Sequence, residues 1–270
     1  MWWCKMGTYI ISDIHGCYDE FLRMLERINF SDSDRMILAG DYIDRGKNSY
    51  EMLRWLEHCP DHVCLIRGNH EEEFAENVDL MCLLNEKEGL RYDPASNAGT
   101  AVLYASVKRI LAESRLSILY FDLYGTIGRL IRQSGVTLND LCRWAEFIRR
   151  MPYYYELTAG DRACIVAHAG YAESAEQIGA RYSGLERFYL YAREDALRLG
   201  GKRHGMVIAG HTPTIIKGDF VYNKGRVFRY YDAEKDCVFY DIDCGCVFRW
   251  REPDARLACI RAEDEQVFYM

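Results

Sequence analysis

The sequence has 270 residues and a formal charge of −7, and hydrophobic and charged residues make up 49% and 28% of it. This balance is ordinary for a globular protein and argues against a largely disordered chain. The acidic charge, without clustered Lys and Arg, argues against a nucleic-acid-binding surface. The sequence has no apolar run of about 18 residues that could span a membrane, so we expect neither nucleic acid nor membrane as a partner.

Eleven cysteines are scattered along the chain without a regular framework. An odd, irregular set fits reduced thiols in a cytoplasmic protein better than the disulfides of a secreted one. No Cys-x-x-Cys occurs, so structural zinc bound by thiolates is not expected. The first residues turn polar too early for a signal peptide. We therefore expect a cytoplasmic location.

An apolar run at residues 8–11 predicts a first strand, which leads into Asp13-Ile14-His15. Asp13 and His15 share one face of an extended segment, because side chains there alternate with a period of two. Together they could hold one metal ion. Residues 18–28 place apolar side chains three and four positions apart and predict a helix packed on the sheet, as at the start of an α/β fold.

A second predicted strand, residues 36–39, leads into Gly40-Asp41-Tyr42-Ile43-Asp44-Arg45-Gly46. Loops at the carboxyl ends of strands gather catalytic groups in α/β folds. Asp41 and Asp44 supply carboxylates, and Arg45 supplies a planar fork of donors suited to a phosphate or a carboxylate. Taken alone, the segment also fits a solvated Asp–Arg turn, because short motifs match by chance.

A third predicted strand, residues 63–66, follows a predicted helix at 50–56 and leads into Gly68-Asn69-His70-Glu71. Three strands thus end in groups able to bind a metal or a phosphate. Independent structural causes would rarely place such groups at every strand end, so the agreement favours a functional site.

Residues 71–151 read as mostly helical, with breaks at residues 89–94 and at Gly135. We find no catalytic cluster in this stretch. Two interpretations are open: an insertion that shapes access of the substrate, or simple helical packing on one face of the sheet.

The second half of the chain returns to strands. Residues 153–157 and 163–167 predict a hairpin whose second strand stops at His168. Residues 206–209 predict a buried strand that ends in Gly210-His211.

One further helix and more sheet complete the prediction. Residues 185–199 predict a single helix that contains Arg193 and ends at two glycines. Short β-rich runs separated by turns predict sheet over residues 220–270.

Six residues with metal-ligating side chains follow the predicted strands. They are Asp13, His15, Asp41, Asn69, His168 and His211. A single histidine is more often a structural residue than a ligand, but three that each follow a buried run beside a glycine favour a site. Carboxylate, amide and imidazole ligands suit Mn, Fe or Zn. Asp41 lies where it could bridge two ions about 3.5–4 Å apart, as in two-metal hydrolysis of phosphate esters.

The ordered motifs resemble the signature of the phosphoprotein phosphatase (PPP) family of calcineurin-like metallophosphoesterases. The resemblance is strongest to the bacterial and phage Ser/Thr phosphatase branch. The motifs that carry it are Asp13-Ile14-His15-Gly16, the segment 40–46, Gly68-Asn69-His70-Glu71, His168-Ala169-Gly170 and Gly210-His211-Thr212.

This resemblance implies an α/β (α+β) fold: a four-layer α-β-β-α sandwich of two mixed sheets, with a dinuclear metal centre at the strand ends. Residues 1–270 would form one domain, with 71–151 as a helical insertion. One metal would be held by Asp13, His15 and Asp41, and the other by Asp41, Asn69, His168 and His211. Two divalent transition-metal ions are implied, with Mn²⁺ preferred over Fe or Zn.

The resemblance also implies roles in catalysis. Arg45, Asn69 and Arg193 would bind the phosphoryl oxygens. His70 would be the general acid that protonates the leaving alkoxide, and Asp44 would orient its imidazole. A metal-bridging hydroxide would then attack phosphorus in line. The expected activity is that of a serine/threonine protein phosphatase, which could also accept phosphotyrosine or a small phosphoester.

The sequence departs from the family pattern in two places. Ala169 stands where eukaryotic members usually have glycine, which bacterial relatives tolerate. The stretch between Glu71 and His168 is long for the small bacterial branch, so the substrate groove cannot be transferred from the family.

Three alternatives stand beside this prediction. Symmetrical diadenosine tetraphosphate hydrolases share most of the motifs, although they generally lack an acid at the position of Asp44. A binding protein that has lost its metals is disfavoured, because every expected ligand is present. A cysteine-based tyrosine phosphatase fails because Leu65 stands where the phosphate loop after Cys59 needs an arginine.

Overall fold

The computed structural model describes residues 6–87, 92–113 and 120–270. Its strands are β1 (Thr8–Ile11), β2 (Arg35–Leu38), β3 (Val63–Leu65), β4 (Tyr154–Ala159), β5 (Arg162–Ala167), β6 (Gly205–Ala209), β7 (Phe228–Asp232), β8 (Cys237–Asp241), β9 (Ala258–Arg261) and β10 (Gln266–Tyr269). Its helices are α1 (Tyr18–Arg27), α2 (Ser49–Glu57), α3 (Asn69–Lys87), α4 (Asn97–Glu113), α5 (Thr126–Ser134), α6 (Leu138–Arg149), α7 (Ala175–Ile178), α8 (Leu185–Tyr191) and α9 (Glu194–Arg198).

The strands form two five-stranded sheets. The first has the order β10-β9-β1-β2-β3 and the second β4-β5-β6-β8-β7. In each sheet three neighbouring strands are parallel, β1-β2-β3 in one and β5-β6-β8 in the other, and the remaining pairs are antiparallel. Because parallel strands end at the same edge, the loops that follow them are brought together.

The two sheets pack face to face through a buried apolar cluster. Ile10 and Ile37 of the first sheet share this cluster with Val166 and Ile208 of the second, and all four side chains are fully buried. Burying such a side chain contributes about 1.5–3 kcal/mol. Both sheets are therefore buried on their inner faces.

The outer faces of the sheets are covered by helices. In β1, Ile11 points away from the second sheet and packs in a cluster with Phe21 of α1 and Trp144 of α6. On the other side, Val207 of β6 packs with Phe188 of α8. The alternation of side chains along each strand thus separates four layers. The predicted α-β-β-α sandwich of two mixed sheets is confirmed.

The predicted helical stretch contains α3 to α6. Their buried apolar side chains join the cluster on the outer face of the first sheet. This contact agrees with the second interpretation, helical packing on one face of the sheet. Gly135, a predicted break, ends α5 with φ +65. Thr137 and Asp140 form a capping box that starts α6. The other predicted break, 89–94, includes residues 89–91, which lie outside the described residues.

The prediction of one helix over residues 185–199 is wrong. The chain forms α8 and α9, separated by Ala192 with extended backbone angles and by Arg193 (φ −116, ψ −112). Phe188, Ala192 and Ala196 stay buried in the same cluster. The spacing of four residues thus continues through the break, which is why the pattern resembled one helix. Among the described helices, none is long and apolar enough to cross a membrane.

Candidate metal centre

Hydrogen bonds between backbones join the loops that carry the predicted ligands. Asp13 N donates to Gly40 O (3.1 Å) and His15 N to Asp41 O (2.8 Å), so the loops after β1 and β2 are tied together. Gly210 N donates to His168 O (2.7 Å), which ties the loops after β6 and β5 in the second sheet. The ligands of both sheets therefore lie on backbones that support one another.

Six predicted site residues have backbone angles in the left-handed region. They are Asp13 (φ 51), His15 (φ 47), Asp41 (φ 56), Asp44 (φ 68), Arg45 (φ 60) and His211 (φ 72). Such angles cost free energy for residues other than glycine and persist only where the surrounding structure enforces them. Backbone strain is thus concentrated at the candidate site.

Two glycines allow the loops after β2 and β3 to touch. A Cβ on Gly68 would lie 2.3 Å from Asp41 N, and a Cβ on Gly40 would lie 2.6 Å from Gly68 Cα, where φ of Gly40 is also +86. No side chain fits at either position without moving backbone, so both glycines are required for this approach.

The first group of ligand atoms surrounds one oxygen of Asp41. His15 Nε2 lies 3.5 Å from Asp41 Oδ2 and 4.0 Å from Asp13 Oδ1. Asp13 Oδ2 accepts the N–H of His211 at 3.0 Å, but Asp13 Oδ1 is buried and has no hydrogen-bond partner among the described residues. A buried carboxylate oxygen without a donor is costly, so this oxygen is suited to bind a cation.

The second group surrounds the other oxygen of Asp41. His168 Nε2 lies 3.4 Å from Asp41 Oδ1, 3.0 Å from Asn69 Oδ1 and 3.1 Å from His211 Nδ1. Asn69 Oδ1 and His211 Nδ1 are 3.0 Å apart. These atoms converge as donors around one ion would, and the two oxygens of Asp41 face the two groups separately.

Backbone carbonyls orient two of the imidazoles. His15 Nδ1 lies 2.9 Å from Ile43 O, and His168 Nδ1 lies 2.9 Å from Ala39 O. Because a carbonyl only accepts, Nδ1 carries the hydrogen, and in the neutral ring the lone pair of Nε2 faces the site. This is the arrangement that metal-ligating histidines need.

The charges at the site agree with metal binding. Burial, and then the charge of Arg45, lower the pKa of His15, and burial followed by His168 and Arg193 lowers that of His211, so both imidazoles are held neutral. Burial works to raise the pKa of Asp41, yet positive charge on His168 and on His70 keeps it below its usual value. The residues present therefore fit two divalent ions with nitrogen and oxygen ligands and a shared carboxylate.

His70 and Asp44 form a close pair at the edge of this centre. His70 Nδ1 lies 2.7 Å from Asp44 Oδ2, and His70 Nε2 lies 3.7 Å from Asp41 Oδ2. Burial opposes the charged imidazole, but Asp41 and Asp44 raise the pKa of His70 to about 9. The backbone N–H of Asp44 donates to Ser49 Oγ at 3.2 Å, which holds the backbone from which this carboxylate extends.

Arg45 contacts both imidazoles on the first side of the centre. Its Nη1 lies 2.8 Å from His15 Nε2 and its Nη2 lies 3.0 Å from His70 Nε2. Both guanidinium nitrogens are donors. Arg45 must therefore release His15 when that nitrogen binds a metal, and release His70 when that ring is protonated, since two donors cannot share a hydrogen bond.

Arg193 is exposed and lies between α8 and α9. Its positive charge contributes to the lowered pKa of His211, which puts Arg193 within electrostatic range of the second ligand group. The side chain of Arg193 therefore extends from the break between the two helices. The sequence pattern did not predict this break.

Three residues of the site had no role in the sequence prediction. Glu71 accepts backbone N–H groups of Asp41 (2.7 Å) and Tyr42 (2.9 Å). Tyr124 places its ring 4.9 Å from the ring of His70. Asp243 is buried, and burial followed by the charge of Asp13 raises its pKa. Glu71 lies in a motif that gave it no role, and no local pattern marks Tyr124.

The sequence profile of the calcineurin-like phosphoesterase family matches residues 6–215. The chain belongs to this family. The members of this family are phosphoesterases that use divalent metal ions. Two sets of metal-ligating atoms in this chain lie within 4.8 Å of one another: those of His15, Asp41 and His70, and those of Asp41, His168 and His211. Asp13 belongs to neither set.

Curated relatives match a shorter segment. A symmetrical bis(5'-nucleosyl)-tetraphosphatase of Buchnera aphidicola subsp. Acyrthosiphon pisum (strain Tuc7) is 46% identical over 67 residues, which is 24% of each chain. The enzyme of the same name from Salmonella arizonae is 42% identical over 67 residues, again 24% of each chain. The aligned segment thus spans about a quarter of these relatives.

A crystal structure whose protein carries the provisional name diadenosine tetraphosphatase is similar over 99% of this chain and 94% of its own, with a TM-score of 0.55 and 15% identity. At this identity the similarity concerns the fold.

Proposed function

We propose that this phosphoesterase is a metal-dependent protein phosphatase that hydrolyses phosphoserine and phosphothreonine, with phosphotyrosine as a further substrate. The observation that supports this most is the 2.7 Å contact between His70 Nδ1 and Asp44 Oδ2, next to the ligand groups. A positioned imidazole is needed most where the leaving group is a poor one, such as a serine alkoxide. We also propose a cytoplasmic location, from the unpatterned cysteines.

Two divalent ions would be held by the two ligand groups. Asp13, His15 and Asp41 would hold one, and Asp41, Asn69, His168 and His211 the other; we propose Mn²⁺ in preference to Fe or Zn. When bound, such ions act as Lewis acids and lower the pKa of water, which makes it a nucleophile at neutral pH.

The side chains of this chain carry out the remaining steps. Arg45 turns from the two imidazoles to the phosphoryl oxygens, where its fork of donors binds two of them. Arg193 and Asn69 would contact the same group from the side of His211. His70 passes the proton on Nε2 to the leaving oxygen, and Asp44 keeps Nδ1 of the ring in place and stabilises its positive charge.

Symmetrical hydrolysis of dinucleoside tetraphosphates is the second candidate function. It is supported by the curated relatives, which carry that name and are 42–46% identical over one segment. The pairing of His70 with Asp44 argues for the first candidate, because a phosphate leaving group needs less help from a proton donor than an alkoxide does.

A substrate panel tests the proposal. Purified protein loaded with Mn²⁺ is assayed for phosphate release from phosphoserine, phosphothreonine and phosphotyrosine peptides, and for nucleoside diphosphate release from diadenosine tetraphosphate. We expect the highest kcat/KM on phosphoserine or phosphothreonine peptides. A kcat/KM that is highest on the dinucleotide, with little turnover of peptides, would show that the second candidate is the right one.

A further inference from the structure

A groove of about 780 Å³ lies beside the candidate site. One wall is the start of α1 with Asp19 and Glu20, and the other is the turn at residues 246–251. Arg45 and Tyr124, which both contact His70, also line it. We call it the Trp250 groove. Because Arg45 belongs to both, the groove is continuous with the place where a phosphoryl group would bind.

The Trp250 groove is positively charged, although the whole chain has a formal net charge of −7. Four basic side chains line it, Arg45, Lys47, Arg249 and Arg251, against two acidic ones, Asp19 and Glu20. Glu20 is already paired, since its Oε1 lies 2.9 Å from Arg249 Nη1 and 3.0 Å from Arg23 Nη2. Only Asp19 is then left to offset Lys47 and Arg251, so the groove keeps positive charge for a negatively charged ligand.

The groove also presents aromatic rings to solvent. The side chain of Trp250 is 79% exposed. The guanidinium carbon of Arg251 lies 5.4 Å from the ring centre of Trp250 and 4.6 Å from that of Phe248. Tryptophan and arginine dominate the binding energy of protein interfaces, where they serve as anchors. Trp250 and Arg251 lie at the surface and not in the core, so this pair is suited to bind a ligand.

The turn that carries these residues is held in place. Phe248 N donates to Gly245 O (2.8 Å), and Gly245 N donates to Asp243 Oδ1 (2.9 Å). Gly245 has φ +75, and a Cβ there would come within 2.7 Å of Ile215 Cγ2. The backbone is thus set before a ligand arrives, which reduces the entropic cost of binding.

We infer that the Trp250 groove binds the peptide segment that flanks the phosphorylated residue, and that it selects segments with acidic side chains and one aromatic or large apolar side chain. This rests on the proposed function. An extended peptide places successive residues about 3.3 Å apart, so its carboxylates can reach basic groups spread along the groove while one side chain packs on Trp250. A dinucleoside tetraphosphate also offers negative charges and a ring to Trp250, so it is one of the substrates in the test below.

Two variants and two matched controls test this inference. Trp250→Ala removes the aromatic anchor and Arg251→Glu reverses one charge. Tyr230→Ala changes an exposed aromatic residue on β7, and Arg203→Glu changes an exposed arginine just before β6, at the end of that strand away from the site. Each protein is assayed on an acidic phosphoserine peptide containing phenylalanine, on the same peptide with lysine in place of its acids, on p-nitrophenyl phosphate and on diadenosine tetraphosphate.

We expect Trp250→Ala and Arg251→Glu each to lower kcat/KM on the acidic peptide about tenfold, mainly through KM. Activity on p-nitrophenyl phosphate should stay within about twofold, because that substrate is too small to reach the turn. Arg251→Glu should also lose the preference of the wild type for the acidic over the lysine peptide. Both controls should behave as wild type.

Other results would overturn the inference. Equal losses on peptide and p-nitrophenyl phosphate would mean that the turn only supports the site. Losses confined to diadenosine tetraphosphate would mean that the groove holds a nucleotide. If the wild type hydrolyses p-nitrophenyl phosphate and both peptides equally well, the proposed activity stands and the inference is wrong.

A binding measurement separates the inference from the proposed function. Fluorescence anisotropy of a labelled acidic phosphonate peptide, which cannot be hydrolysed, should show binding to the wild type and about tenfold weaker binding to Trp250→Ala. Such binding in a protein that hydrolyses no phosphopeptide would support the groove and contradict the proposed phosphatase activity. No difference in binding between the two proteins would contradict the inference directly.

Discussion

The buried carboxylate of Glu71 accepts the backbone N–H of Asp41 at 2.7 Å through Oε2. The same oxygen accepts Gly68 N at 3.1 Å, while Oε1 accepts Tyr42 N at 2.9 Å and Ile43 N at 3.3 Å. One side chain at the start of α3 thus fixes the backbone of the loop that carries Asp41. Four N–H groups converge on a single carboxylate, whose two oxygens together accept all four hydrogen bonds.

Glu71→Gln should therefore disturb both stability and metal binding. The new amide group would point two donors at backbone N–H groups that are donors themselves. Because a buried donor without an acceptor costs about 1–3 kcal/mol and the amide would face two such N–H groups, we expect the free energy of unfolding to fall by about 2–4 kcal/mol. Chemical denaturation and elemental analysis measure the two effects. Glu76→Gln, at an exposed position of the same helix, should change neither; a fully stable and metal-loaded Glu71→Gln would contradict the role of Glu71.

Activity should require two transition-metal ions. Six ligand-type side chains converge in two groups, and Asp41 belongs to both. Exhaustive treatment with EDTA should abolish turnover, and added Mn²⁺ should restore it. Unchanged turnover after EDTA, or active protein free of metal, would rule out the proposed centre.

Asp41→Asn should be the most damaging change of a single ligand, since it weakens both ions together. We expect the loss of metal affinity to exceed the roughly 10–100-fold typical of changes to groups that only support a ligand. Elemental analysis and titration with Mn²⁺ provide the measurement. Asp61→Asn, at an exposed position before β3, is the matched control. Retention of two ions by Asp41→Asn would mean that Asp41 does not bridge them.

The sequence was sufficient to predict that the proposed ligands converge, because each of them follows an apolar run within a few residues. His168 stands directly after β5, and Asp41 follows β2 after two residues. The parallel order of the strands then brings these ends to one edge. The apolar runs and the polar residues that follow them are visible in the sequence. The layers of the fold and the convergence of the proposed ligands could therefore both be expected.

The parts that could not be predicted depend on contacts between distant segments. Tyr124 is more than fifty positions from His70 in the sequence, yet their rings lie 4.9 Å apart. The Trp250 groove likewise lies between α1 and a turn near the end of the chain. The break before Arg193 preserves the apolar spacing of a continuous helix. The hydrophobic periodicity of the sequence therefore does not reveal it. Residues of this kind require tertiary structure before a role can be assigned.

The two arginines should affect kcat and KM in the same way if both bind the phosphoryl group. Arg45 lies within hydrogen-bond distance of His15 and His70, so Arg45→Ala should lower kcat and raise KM together, by about 10–100-fold in kcat/KM, as expected for loss of a charged bidentate contact. Arg193→Ala should show the same pattern if that side chain reaches the phosphoryl group. Steady-state kinetics on p-nitrophenyl phosphate measures both.

Arg198→Ala, an exposed position on α9, is the control for Arg193. If Arg193→Ala behaves like this control, the assignment of Arg193 is wrong. Arg187 is then the next candidate, because its guanidinium carbon lies 3.9 Å from the ring centre of Tyr191, and that ring lies 6.4 Å from the ring of His211.

The role of His70 as proton donor predicts losses that depend on the leaving group. A serine alkoxide must be protonated as the bond to phosphorus breaks, whereas p-nitrophenolate leaves unaided. His70→Asn should therefore lower kcat by about 10²–10⁴ on a phosphoserine peptide and much less on p-nitrophenyl phosphate. Asp44→Asn should show the same difference more mildly, because the imidazole remains but loses the carboxylate that lies 2.7 Å from its Nδ1.

Metal content must be measured alongside, since His70 Nε2 lies 3.7 Å from Asp41 Oδ2 and its loss could disturb the ligands. Equal losses on both substrates, with both metals retained, would mean that His70 stabilises the phosphoryl group instead of donating a proton. A loss that grows with the pKa of the leaving group across a series of aryl phosphates would establish the proton transfer, because only a group that protonates the leaving oxygen responds to its basicity.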